Sequence, residues 1–354
     1  MIMKQKERIA YIDVAKGIGI FLIVLAHVLK NGYIRQYIYS FHVPLFFLLS
    51  GITYNCKKDK NEYLKRIITR NYVPYIVFSI ISILVFFVFG QLVAGKMNME
   101  LMDGTLWDNI WGMIYGNSRN GLMKWNTPLW FLPCLVVVYL IADCLEITFQ
   151  KFEGGRIILM LFSLIFTWFV ATRFRDLKLP FGIEAAVFMF TFFELGIIIR
   201  ENDYVNMICK LASNRVQLLF IAIVFLALVI PLSYVNGMAQ VRIMILGKNI
   251  GLFLMSSLCG IIGVVLLSVF FQESNAMAYL GRNTMSILLM HKFPVLFFQS
   301  IMPGTKLLLK NEDTLSGLLC AVVVSAVSIC LCLVVGNVIA NICPAIIGKK
   351  RRLL

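Results

Sequence analysis

The sequence DVAKGIGIFLIVLAH, residues 13–27, places three ionisable side chains inside an apolar stretch long enough to cross a membrane. A charged side chain near the centre of a bilayer costs about 2.5–3.5 kcal/mol, so such residues usually face a wet cavity or a bundle interior. Lys16 and His27 are eleven residues apart, which puts them on one helix face, about 16 Å apart along the axis. Asp13 is close enough to pair with Lys16. The spacing therefore predicts an inward-facing polar stripe.

The other two histidines also lie within apolar segments, in FHVPLFFLLSG and YLGRNTMSILLMH. His42 precedes Pro44, which cannot donate a helical hydrogen bond, so we expect a kink beside this histidine. For all three histidines, a packing role and a chemical role as base, acyl carrier or binding group remain open. The acids within apolar segments that could orient an imidazole or a lysine are Asp13, Asp143, Glu146, Glu184 and Glu194.

A pair of arginines follows the second apolar segment, in the sequence KRIITRNYVPY. Arg66 and Arg70 are four residues apart and share one face if this segment is helical. A guanidinium group binds a phosphate through two parallel hydrogen bonds. The pair is therefore a candidate clamp for a phosphate-bearing ligand, and a purely topological role is the alternative.

The composition is that of a membrane protein. Of 354 residues, 60% are hydrophobic and 14% are charged, whereas a soluble domain has about 25% charged residues. The net charge of +15 comes from Lys and Arg in short loops and carries no signature of nucleic-acid binding. We predict an all-α polytopic protein, a single domain over 1–354, with about ten transmembrane helices around a central polar cavity. The predicted segments are 9–30, 37–56, 72–94, 128–149, 157–171, 180–199, 216–235, 250–271, 284–302 and 315–345.

The distribution of Lys and Arg predicts the orientation. The two largest basic clusters, KKDKNEYLKRIITR and the terminal KKRR, fall on the same side, which predicts that both termini are cytoplasmic. The nine cysteines form no CxxC pair and no Cys/His ligand spacing, and three scattered histidines do not make a metal site. We therefore predict neither a disulfide framework nor a metal centre.

Four stretches in this order resemble the membrane-bound acyltransferase-3 family, in particular its fucose 4-O-acetylase-like branch. They are YIDVAKGIGIFLIVLAH, FHVPLFFLLSG, TPLWFLPCL and YLGRNTMSILLMH. In the first stretch, the family has a basic residue and, after ten intervening positions, a histidine; here these are Lys16 and His27. Many members have Arg where this chain has Lys16, so the fork that binds phosphate bidentately is absent at this position.

The resemblance implies transfer of an acyl group, usually acetyl, from cytoplasmic acetyl-CoA to a hydroxyl of an extracytoplasmic or lipid-linked glycan, in the plasma membrane. Acetyl-CoA would be a substrate, and no permanently bound cofactor is implied. The expected catalytic residues are His27, Lys16, Asp13 and His291, and the expected CoA contacts are Lys16, Arg66, Arg70 and Arg282. The expected acceptor contacts are His42, Trp130 and Asn283.

The main alternative is a small-solute transporter or flippase, for example for amino-acid uptake, without acyl chemistry. Polar groups near the bilayer midplane and broken helices are also typical of transporters. A purely structural membrane subunit would leave the polar stripe without a purpose. Binding of acetyl-CoA would distinguish the enzyme from both.

Overall fold

The computed structural model describes residues 10–55, 59–93, 104–119, 121–149, 154–174, 177–205, 207, 214–300, 302–309 and 314–349. The predicted cytoplasmic termini, 1–9 and 350–354, lie outside this part of the chain, and so does the side chain of Glu146. The described residues are almost entirely helical. The exception is a hairpin of two short antiparallel strands, β1 (Ala239–Gln240) and β2 (Ile245–Leu246).

Sixteen helices are described, several of them short. In chain order they are α1 Ala10–Val28, α2 Tyr33–Tyr39, α3 His42–Ile52, α4 Lys60–Ile67, α5 Val73–Val93, α6 Leu106–Tyr115, α7 Phe131–Phe149 and α8 Gly155–Arg173. They continue with α9 Ile183–Glu201, α10 Arg215–Asn236, α11 Ile250–Phe270, α12 Asn275–Arg282, α13 Thr284–Met290, α14 Lys292–Ser300, α15 Pro303–Leu308 and α16 Leu315–Ile342.

Eight helical segments in the described part of the chain are long and apolar enough to cross a membrane. They are Ala10–Val28, Asn61–Val88, Lys124–Leu145, Gly155–Arg173, Pro180–Glu201, Arg215–Asn236, Ile250–Phe270 and Leu315–Ile342. This confirms an all-α polytopic membrane protein. The remaining two predicted spans, 37–56 and 284–302, are interrupted helices, formed by α2 with α3 and by α13 with α14.

Both interruptions lie at a histidine followed by a proline. His42 is the first residue of α3, and Pro44 is the third; His291 separates α13 from α14, and Pro294 is the third residue of α14. A proline is tolerated in the first turn of a helix because the N–H groups there have no intrahelical partner. The break predicted beside Pro44 is therefore confirmed.

The core lies between α3 and the helices around it. The aromatic rings of Phe47, Phe188 and Phe193 are fully buried where α3 packs along α9. Helices α8, α10 and α16 expose many large apolar side chains, including Phe162, Phe220 and Leu331, as expected for surfaces in contact with lipid tails. The inner helices α1, α3 and α9 are thus surrounded by the outer ones.

A turn of π-helix, Ile68–Tyr72, joins α4 to α5 and carries Arg70. Such turns insert one extra residue into a helix and are frequent at functional sites. Here the turn continues the amphipathic α4, which carries Arg66, into the apolar α5. The two arginines therefore lie at the predicted cytoplasmic entry of this span.

Candidate active site

A cavity of about 630 Å³ opens between α1, α4 and α12 at the end of α1 that carries Asp13. Its lining is rich in cations: Lys16, Arg66, Arg70, Arg200, Arg282 and Lys349. All four cations that the sequence predicted as CoA contacts are among them. We call this space the inner chamber. Its size is typical of sites for small molecules and cofactors, which occupy about 300–1,000 Å³.

A second cavity, of about 280 Å³, lies along α1 and reaches His27. We call it the histidine chamber. It is lined by His27, His42 and Trp130, and by apolar side chains such as Phe46 and Leu132. The two chambers share a common set of lining residues, namely Asp13, Lys16, Arg70, Arg282 and Met285. The polar stripe predicted on the first helix therefore borders two adjoining cavities, from Asp13 to His27.

The register of the site depends on close packing between α1 and α12. A Cβ atom on Gly17 would lie 2.3 Å from the carbonyl oxygen of Met277, too close for any side chain. Likewise, a Cβ on Gly281 would lie 1.7 Å from the carbonyl oxygen of Asp13. Only glycine permits this approach of two helix backbones. The contact brings Arg282, the residue after Gly281, to the space that Lys16 borders.

We expect Gly281→Ala to destabilise the protein and to weaken CoA binding, because the added methyl group must push α12 away from α1. Overpacking of this kind costs about 1–3 kcal/mol. Thermal unfolding of the detergent-solubilised protein, with and without CoA, measures both effects. Gly304→Ala is the matched control, since a Cβ there meets nothing within 4 Å. Equal melting temperatures for the two variants would contradict the prediction.

His27 lies against a second histidine. The ring centroids of His27 and His291 are 5.2 Å apart, with the planes tilted by 40°. His291 is fully buried and borders neither chamber, whereas His27 is half-buried and borders the histidine chamber. The structure thus places His27 at the cavity and His291 behind it.

The hydrogen bonds of His291 and His42 fix how each neutral ring carries its proton. Nδ1 of His291 is 2.9 Å from the carbonyl oxygen of Ile287, and Nδ1 of His42 is 2.9 Å from that of Ile38. Because a carbonyl only accepts, Nδ1 is the donor in both, and Nε2 keeps a free lone pair. Nε2 of His291 is buried and has no hydrogen-bond partner among the described residues.

Two predicted acids are engaged elsewhere. Glu184 pairs with Arg119 at 3.1 Å, where both side chains are buried, and Glu194 pairs with Arg156 at 2.9 Å. Removing one partner of a buried pair leaves an uncompensated charge, which is strongly destabilising. These acids therefore serve the fold, and Asp13 is the acid that borders both chambers.

Like His291, the predicted site residue Asn283 lies outside the lining of both chambers. It is buried, its amide nitrogen donates to the carbonyl oxygen of Tyr279 at 2.9 Å, and its amide oxygen accepts from Nζ of Lys349 at 2.8 Å. A direct contact of Asn283 with the acceptor stays a prediction. Asn283 positions Lys349, which borders the inner chamber.

Three kinds of lining residue were not predicted from the sequence. Arg200, at the end of α9, donates to the carbonyl oxygen of Tyr54, and Lys349 follows the last described helical turn. Tyr54 and Tyr139 border the inner chamber with their rings stacked at 6.3 Å. Each comes from a segment far from Lys16 in sequence, so spacing alone held no signal for any of them.

Comparison with known proteins identifies the family. The model of the acyltransferase-3 family, which describes an acyltransferase domain, matches residues 9–336. That range includes both histidine breaks, the arginine pair and α12. The comparisons with curated proteins and with solved structures return no significant match. Since the family match covers most of the sequence, the chain belongs to the acyltransferase-3 family and is a membrane acyltransferase.

Proposed function

We propose that this enzyme transfers an acetyl group from acetyl-CoA, entering at the cytoplasmic face of the plasma membrane, to a hydroxyl of an extracytoplasmic or lipid-linked glycan. The lining residues that the cationic inner chamber shares with the histidine chamber support this proposal most directly. A donor with phosphates at one end and a thioester at the other needs both environments. The fucose 4-O-acetylase-like branch stays a prediction.

The cations of the inner chamber suit the phosphates of CoA. Arg66, Arg70 and Arg282 are half-buried or exposed at the mouth of this chamber, so they can bind phosphate without first being removed from water. Guanidinium groups bind phosphate oxygens through paired, charge-assisted hydrogen bonds. Lys16 lies deeper, where the chambers join, and would follow the pantetheine arm as a point charge.

His27 is the proposed general base at the thioester. One imidazole nitrogen accepts the proton of the acceptor hydroxyl as its oxygen bonds to the thioester carbonyl carbon. The carbon–sulfur bond then breaks, and the CoA thiolate takes the proton from the imidazolium. The products are an acetyl ester and free CoA. In the alternative order, the acetyl group first passes to His27, which gives an acetyl-imidazole and releases CoA. The acceptor hydroxyl then attacks the acetyl-imidazole and frees the histidine.

The remaining predicted residues surround this step. His291, behind His27, would accept charge or a proton through Nε2, whose lone pair is free. Trp130 and His42 border the histidine chamber opposite α1, where an aromatic face can stack on a sugar ring. Asp13 would stabilise the positive charge of Lys16.

Binding of acetyl-CoA by the purified protein tests the proposal. In nanodiscs, wild type is expected to bind CoA and to release CoA slowly from acetyl-CoA, with the acetyl group passing to water in the absence of acceptor. Pantetheine, which lacks the phosphates, is the matched ligand control and should bind at least tenfold more weakly, since each charged hydrogen bond contributes about 1.5–3 kcal/mol.

The transporter hypothesis predicts a different outcome. Family membership favours the enzyme, although the two interrupted helices are also a transporter feature. Wild type that shows no interaction with CoA but carries a small solute across a liposome membrane would contradict the proposed function.

A further inference from the structure

Three cations lie near one another at the end of α1 that carries His27: Arg35, Arg242 and Lys292. We call them the outer cation group. The guanidinium carbon of Arg35 lies 4.9 Å from the centroid of the Tyr39 ring, and Nη2 of Arg35 donates to the tyrosine hydroxyl at 3.4 Å. Arg242 and Arg35 interact electrostatically, as do both of them with Lys292.

Separate segments of the chain bring these cations together. Arg35 lies on α2, Arg242 on the 3₁₀ turn Val241–Ile243 of the β1–β2 hairpin, and Lys292 at the start of α14. The positive-inside rule disfavours basic residues on the non-cytoplasmic side, where the predicted orientation puts this group. Topology therefore does not explain their convergence.

The charges of the outer cation group are not neutralised within the described part of the chain. No ion pair there joins Arg35, Arg242 or Lys292 to a carboxylate, and Glu184, a buried acid on this side, is paired with Arg119. Nε of Arg35 is buried without a hydrogen-bond partner among the described residues. Three like charges in this setting repel one another, and an anion placed between them would remove the repulsion.

The environment of Arg242 is consistent with this repulsion. Burial lowers the pKa of its guanidinium; the neighbouring Tyr39 raises this pKa, and the positive charges of Arg119 and Arg35 lower it. Its Nη1 donates to the carbonyl oxygen of Ser118, which orients the group.

The outer cation group adjoins the histidines. The Tyr39 ring centroid is 4.8 Å from that of His42 and 6.4 Å from that of His27. Lys292 directly follows His291, whose ring contacts His27. An anion held by the group would therefore lie on the side of the histidines where Tyr39 packs.

We propose that the outer cation group binds an oxyanion, phosphate or carboxylate, of the acceptor, so that the acceptor class is an anionic glycan. This inference rests on the proposed function, since it names the acceptor of the same site. Guanidinium groups discriminate oxyanions from neutral hydroxyls by charge and by paired hydrogen bonds. A neutral sugar would leave the three cations without a carboxylate partner among the described residues.

Binding of small probes to the full-length protein in neutral detergent tests the inference. Calorimetry with glycerol 3-phosphate, glucuronate and glycerol compares the two oxyanions with a neutral polyol. We expect both anions to bind wild type at least tenfold more tightly than glycerol, and Arg242→Gln and Lys292→Gln each to weaken anion binding about tenfold. Arg173→Gln, an exposed arginine at the end of α8, is the matched control and should change nothing.

Binding of CoA, measured on the same samples, separates the possible outcomes. A variant that still binds CoA is folded, so its loss of anion binding supports the inference. Wild type that binds CoA but not glycerol 3-phosphate or glucuronate overturns this inference alone, as do variants with unchanged anion affinity. Wild type that binds the anions but not CoA contradicts the proposed function. Displacement of the probes by phosphatidylglycerol in the micelles would assign the group to lipid headgroups and overturn the inference.

Discussion

Replacing His27 with alanine should abolish acetyl transfer and leave CoA bound. The imidazole borders the histidine chamber, and the arginines of the inner chamber are untouched by the change. Loss of a general base lowers the rate by about 10²–10⁴-fold, so turnover should fall by that factor. Release of CoA from acetyl-CoA measures the chemical step, and equilibrium binding of CoA measures the donor site.

The His27→Gln variant separates chemistry from packing. Glutamine keeps a polar side chain of similar length but cannot take a proton at neutral pH. If His27 is the base, the glutamine variant should be as inactive as the alanine variant and should unfold at the wild-type temperature. A glutamine variant with near wild-type turnover would contradict a catalytic role for His27.

The first helix shows how much of the site periodicity can predict. Lys16 and His27 fall on one face because their spacing is close to a whole number of helical turns. The chambers border both residues, together with Asp13. The prediction follows because exposure of these charged side chains to lipid would be strongly unfavourable. Arg66 and Arg70 were predictable for the same reason, because their spacing is one helical turn.

The interrupted spans could be predicted only in part. An apolar run such as 284–302 that is buried on most sides shows no periodic pattern of apolar and polar residues. Its composition therefore does not tell one continuous helix from two shorter ones. Pro44 signalled the break at His42, and Pro294 carries the same signal beside His291. The role of Asn283 was not predictable, because its partner Lys349 is distant in sequence and reaches it only in the folded chain.

The sequence also could not assign the acids. Glu184 and Glu194 look alike as carboxylates within apolar segments, yet each is held by an arginine from another segment, Arg119 or Arg156. Pairing across the fold depends on which helices become neighbours. Only the three-dimensional arrangement shows that Asp13 borders both chambers while the other two acids pair with Arg119, which is buried, and Arg156, which is half-buried.

The paired substitution Arg66→Gln and Arg70→Gln should weaken CoA binding by about 10–100-fold. Both side chains border the inner chamber. Loss of their two partly solvated contacts with phosphate removes about 1.4–2.8 kcal/mol of binding free energy, and each 1.4 kcal/mol is a tenfold change in affinity. Because His27 is unaffected, turnover at saturating acetyl-CoA should change little, so the effect should appear mainly in KM. The difference between variant and wild type should shrink at high salt, which screens exposed charges.

Two controls decide whether the arginine pair recognises phosphate or merely sets the local charge. Arg215→Gln removes an exposed arginine at the start of α10 that pairs with Glu273 and borders neither chamber, so it should leave CoA affinity unchanged. Dephospho-CoA lacks the 3′-phosphate; if that group lies between Arg66 and Arg70, the paired variant should lose much less affinity for dephospho-CoA than for CoA. Equal losses for both ligands would direct the pair to the diphosphate instead, and no loss for either would remove it from the donor site altogether.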